Sequence, residues 1–153
     1  MVEAAVLAAI SRGVKTVRAL AKLFNTSEDA IASIVERLKS MGLVEEVEKG
    51  LIIRRRELRL TREGLERLDE ALRLLRNAAS RVEAVAREQG RVTREALPEE
   101  LGFVLPLLAV LGLINLNWLL GYLALEELEA LEDIEAGDYE EGMVDYDLPE
   151  DGL

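Results

Sequence analysis

Between Val6 and Gly64 the sequence is punctuated as three short helical periods followed by a hairpin, an order that few folds accommodate. Val6, Ala9 and Ile10 share one face of a first helix, which Gly13 ends. Thr16 stands where it caps a second helix, with Val17, Leu20, Ala21, Leu23 and Phe24 turned inward. Asn25-Thr26-Ser27 is a turn with capping chemistry. A third helix over Glu28–Met41 buries Ile31, Ile34, Val35 and Leu38, and Gly42 stops it. Leu43–Glu48 and Leu51–Leu60 read as two strands joined at Lys49-Gly50. Thr61-Arg62-Glu63-Gly64 then opens a further helix.

Two motifs carry a family resemblance: Leu38-x-x-x-Gly42-Leu43-Val44 after the third helix, and Leu60-Thr61-x-x-Gly64 after the second strand. On these, residues 6–64 resemble the winged helix-turn-helix domain of MarR- and ArsR-type archaeal and bacterial regulators. The resemblance implies a mainly α fold with a short β-wing. It implies double-stranded DNA as partner and transcription regulation as the task. Lys15, Arg18, the wing-tip Lys49 and the strand residues Arg54, Arg55 and Arg56 would contact the phosphate backbone. The third helix would face the bases.

The residues themselves qualify that picture. The exposed face of the third helix offers Glu28, Asp29, Ala32, Ser33, Glu36 and Arg37. Its three acids oppose phosphate, and only Ser33 and Arg37 donate, so sequence readout is expected to be weak. For Arg54–Arg56 two readings stand: phosphate contacts, or a strand face paired with Glu45, Glu46 and Glu48 on the neighbouring strand.

From Thr61 to Gln89 Gly64 is the single helix breaker, and Leu65, Leu68, Leu72, Leu75, Ala79, Val82 and Ala86 follow an alternating 3–4 spacing. Residues 65–89 are therefore expected to form a connecting helix. Its seam, Leu65 to Val82, is expected to make a homodimer, the alternative being packing within the chain.

Residues 90–135 partly repeat the first unit. Gly13-x-x-Thr16-x-x-Ala19-Leu20 recurs as Gly90-x-x-Thr93-x-x-Ala96-Leu97. Leu38-x-x-Met41-Gly42-Leu43-Val44 recurs as Leu108-x-x-Leu111-Gly112-Leu113-Ile114. The repeat predicts a reduced second winged helix, with strands over Asn115–Trp118 and Gly121–Leu125 and a helix over Glu126–Glu135. Its counterpart of the third helix, Phe103–Leu111, has no polar face and must be covered on all sides. The rival is a membrane span: Leu101–Leu125 is 25 residues without a charge.

Charge divides the chain. Residues 1–97 hold all 19 Lys and Arg against 15 Asp and Glu, whereas residues 98–153 hold 15 acids and no base. The first part can meet phosphate and the second repels it. Residues 136–153 form an acidic tail without helical period, expected to be disordered alone. Within it Tyr139, Met143, Val144, Tyr146 and Leu148 are apolar anchors set among acids, which suits docking on a basic partner surface; the alternatives are a fold back on Arg54–Arg56 and a solubilising tail. The chain has no Cys and no His, removing thiolates, the usual general base and the commonest metal ligand. No enzyme activity, cofactor or metal is expected. The leading expectation is a cytoplasmic, dimeric winged-helix DNA-binding regulator. The alternatives are a protein-interaction subunit of a transcription or replication assembly, and a membrane-anchored regulator.

Overall fold

The computed structural model describes residues 1–93 and 95–122. Among these the chain is mainly helical, with one two-stranded antiparallel sheet. The order is α1 (Val2–Ser11), α2 (Val17–Leu23), α3 (Glu28–Ser40), β1 (Val44–Lys49), β2 (Arg55–Leu60), α4 (Arg62–Gln89), α5 (Glu99–Val110) and α6 (Leu116–Tyr122).

The caps fall where the side chains can supply them. The Thr16 hydroxyl accepts from Ala19 N at 3.0 Å, Ser27 from Ala30 N at 3.1 Å and Thr61 from Gly64 N at 3.1 Å. Each satisfies an orphan amide of a first turn. Thr61 also donates its hydroxyl to the Gly42 carbonyl at 2.5 Å, and its amide to the Leu43 carbonyl at 3.0 Å. The end of α3 is thereby tied to the start of α4. Gly64 completes that joint, since a methyl there would run into the Leu43 carbonyl oxygen. The Leu60-Thr61-x-x-Gly64 motif is thus a packing device.

α1 differs from expectation in one respect. Ala4 to Ile10 are buried without a break, not on one face alone. The helix lies inside a sheath of α3, β2, α4 and α5, and its alanines at 4, 5, 8 and 9 allow those neighbours to come close. α4 is 28 residues, about 42 Å at 1.5 Å per residue. Its Leu75, Ala78, Ala79, Val82 and Ala86 are buried in the same core as Leu101, Val104, Leu105, Leu107 and Leu108 of α5. The Phe24 and Phe103 rings stack at 4.8 Å, joining the end of α2 to α5. At roughly 25 cal/mol per Å² of apolar surface, each of the larger buried side chains contributes about 1.5–3 kcal/mol.

Three expectations are corrected here. The seam of α4 does not stay free along its length: Leu75, Ala79 and Val82 are buried within the chain, so only Leu65, Leu68 and Leu72 remain for a second copy. The strand expected over Asn115–Trp118 is not formed, because Leu116–Tyr122 is helical. Asn115 starts that helix, its side-chain oxygen accepting from Asn117 N at 2.8 Å. Residues 95–97 form a turn, whereas the residues they align with, Arg18–Leu20, lie in α2. What the two motifs share is a helix end. Leu43 N bonds Leu38 O and Gly42 N bonds Lys39 O, as Leu113 N bonds Leu108 O and Gly112 N bonds Ala109 O, with the glycines at φ 74° and 73°. The repeated pattern marks the same stop signal, the Schellman motif, at both helix ends.

The third correction concerns the span. α5 stops at Val110, and no helix among the described residues is long and apolar enough to cross a membrane. Twelve residues reach about 18 Å, well short of a ~30 Å hydrocarbon core. The expected strand over Gly121–Leu125 lies partly, and the helix Glu126–Glu135 and the tail wholly, outside the described residues.

Candidate nucleic-acid interface

The α2–α3 pair and the β1–β2 hairpin hold the candidate residues. Asn25 adopts φ 52° in the turn between the helices, and Ser27 then caps α3. The buried face of α3, Ile31, Ile34, Val35 and Leu38, fixes which residues look outward. Glu28, Asp29, Ser33, Glu36 and Arg37 are exposed. Of the two donors, Arg37 is bridged to Glu3 at 3.3 Å, leaving Ser33 among three acids.

The hairpin register pairs Glu45 with Arg59, Glu48 with Arg56 and Lys49 with Arg55. Arg59 Nε bonds Glu45 at 2.6 Å, Arg54 reaches Glu48 at 3.4 Å, Arg56 reaches Glu46 at 3.9 Å and Lys49 reaches Glu57 at 3.9 Å. Of the two readings of Arg54–Arg56, the paired strand face is therefore the arrangement seen for Arg54 and Arg56. Lys39 on α3 bonds Glu46 and, at 3.3 Å, Glu36. The Glu46 hydrogen bond raises its pKa above the ordinary lysine value; partial burial pulls the other way, and Glu36 adds to the rise. Lys39 is thus committed to joining α3 and β1.

Two placements differ from the sequence reading. β2 begins at Arg55, so Arg54 lies in the loop and Gly50–Arg54 is the exposed hairpin tip. Leu51, Ile52 and Ile53 are 101%, 94% and 57% exposed there. Three consecutive apolar residues break the period-2 alternation of a half-buried strand, and that signal was legible. Lys15 lies beside the middle of β2: its carbonyl accepts from Leu58 N at 2.7 Å, two residues along the strand from Arg56. Arg18 is exposed on α2. The structure thus brings together Lys49, Arg54, Arg55 and Arg56 on the hairpin.

What the arrangement can do follows from magnitudes. Exposed ion pairs contribute about 0–1 kcal/mol each, so phosphate can displace Glu48 or Glu46 from its arginine at small cost. The displaced carboxylates remain nearby and repel the strand they yield to. Phosphate contacts of this kind would be weak, salt-sensitive and indifferent to sequence. No protein-family model matches the chain, and no curated protein matches it in sequence.

Proposed function

We propose that the chain is a non-catalytic winged-helix protein of the cytoplasm that binds duplex DNA through its wing, with little sequence preference, in transcription regulation or an allied process. The observation that carries this reading is the set of four cations, Lys49 and Arg54–Arg56, at the tip of a hairpin that follows a helix-turn-helix. The acidic outer face of α3 accounts for the weak readout. Leu65, Leu68 and Leu72 at the start of α4 remain exposed or half-buried, and any homodimer would form through them. The test is binding of the full chain to two unrelated duplexes at two salt concentrations. Similar affinities that fall together as salt rises support the proposal; no binding at low salt rejects it.

A second reading rests on a different observation. Leu51, Ile52 and Ile53 project into solvent at a site where phosphate contact calls for polar groups. Exposed apolar clusters mark protein contacts, which favours a protein-interaction subunit. Replacing all three with Ser leaves DNA binding unchanged under this reading and abolishes assembly with the partner.

A further inference from the structure

We propose that the groove between α1, β2 and the first half of α4 is a peptide-binding site whose occupant is this chain's own acidic segment, residues 136–153. The groove encloses about 360 Å³. Leu60, Leu68 and Leu72 line it as half-buried apolar walls. Arg12, Lys15 and Arg59 supply its charge, and no acid among the described residues lines it. Arg59 shares its charge with Glu45, so Arg12 and Lys15 contribute most of the field.

An occupant of this groove must be apolar where it meets the leucines and anionic where it meets the rim. Residues 136–153, which lie outside the described part of the structure, meet both demands. They hold seven Asp and Glu, no Lys or Arg, and the apolar side chains of Tyr139, Met143, Val144, Tyr146 and Leu148. The groove volume takes a few such side chains, not the whole segment. Reach is sufficient. The 13 residues 123–135 span up to about 45 Å when extended, and a domain of this size is roughly 35 Å across. The site is distinct from the hairpin tip and does not depend on DNA binding.

Zero-length carbodiimide coupling of the full chain tests this directly. The chain has four lysines, and only Lys15 lines the groove. The expected product, found by peptide mapping of a mixture of ¹⁴N- and ¹⁵N-labelled protein, joins Lys15 to a carboxylate between Asp138 and Asp151 of the same chain. Leu65→Glu adds a negative charge beside the groove at a position 58% exposed, where folding tolerates it. It should lower the yield at least fivefold and remove hydrogen-exchange protection from residues 139–148. Arg12→Glu, on an exposed loop, should do the same should Leu65→Glu disturb α4. Links confined to residues 1–122, mixed-isotope links that put a second copy in the groove, or a yield indifferent to both variants would each overturn the proposal.

Discussion

At the residue scale, the groups that shape the hairpin are those whose neighbours leave no alternative. Gly64 is one: its Cα faces the Leu43 carbonyl and the Leu60 side chain. Gly64→Ala should cost about 1–3 kcal/mol by overpacking, read as a lower denaturant midpoint with unchanged slope. A neutral result would mean that α4 shifts freely on β1. The arginines make a contrasting prediction. With Arg54, Arg55 and Arg56 replaced by Ala, the DNA binding proposed above should weaken equally on unrelated sequences, and the salt slope should drop by up to about three contacts. Since the partners of Arg54 and Arg56 are exposed carboxylates, the same triple variant should change stability by well under about 3 kcal/mol. Pairing of these side chains was legible as an alternative from Glu45, Glu46 and Glu48, because antiparallel strands bring opposite charges into register. The apolar tip was missed because Leu51-Ile52-Ile53 has strand propensity, and propensity says nothing about whether a partner strand is present.

At the scale of elements, α4 shows how one seam serves two surroundings. Its spacing was legible, but spacing cannot say which neighbour covers it. Leu75 is fully buried against the chain's own core, whereas Leu65 is 58% exposed. Leu75→Ala should therefore cost about 2–5 kcal/mol at any protein concentration. Leu65→Ala should fall within about 0.5 kcal/mol if the protein is monomeric. A concentration-dependent loss at Leu65 would place a second copy on the first half of α4. The sequence reading places strands over Asn115–Trp118 and Gly121–Leu125 where α6 forms, although Asn115 is a preferred helix-capping residue and signals a helix. The glycine motif at Leu108–Ile114 makes the same chain reversal after a helix as its counterpart at Leu38–Val44. Short motifs of this kind report local geometry, and local geometry recurs without common architecture.

At the scale of the whole molecule, the boundary drawn at Gly90 does not divide the core. α5 returns to pack on α1 and α4, and Phe103 stacks on Phe24. The sequence could not show this, since an all-apolar helix carries no directional pattern to indicate its neighbour. Unfolding of the described region should then be a single transition. Phe103→Ala should lower its unfolding free energy by about 2–4 kcal/mol, read as a lower midpoint, without splitting it. Two separate transitions, one unaffected by the substitution, would show that α5 belongs to an independent unit. The enclosure of α1 has a practical consequence. Its amide protons from Val6 to Ile10 have no route to solvent while α3, β2, α4 and α5 stay in place. Their deuterium exchange therefore measures global opening. Any molecule that binds the folded chain alone, wherever it lands, slows that exchange by a factor near 100 at a hundredfold excess over its Kd. α1 is thus an internal gauge with which DNA, a protein partner or a second copy can be detected before its site is known.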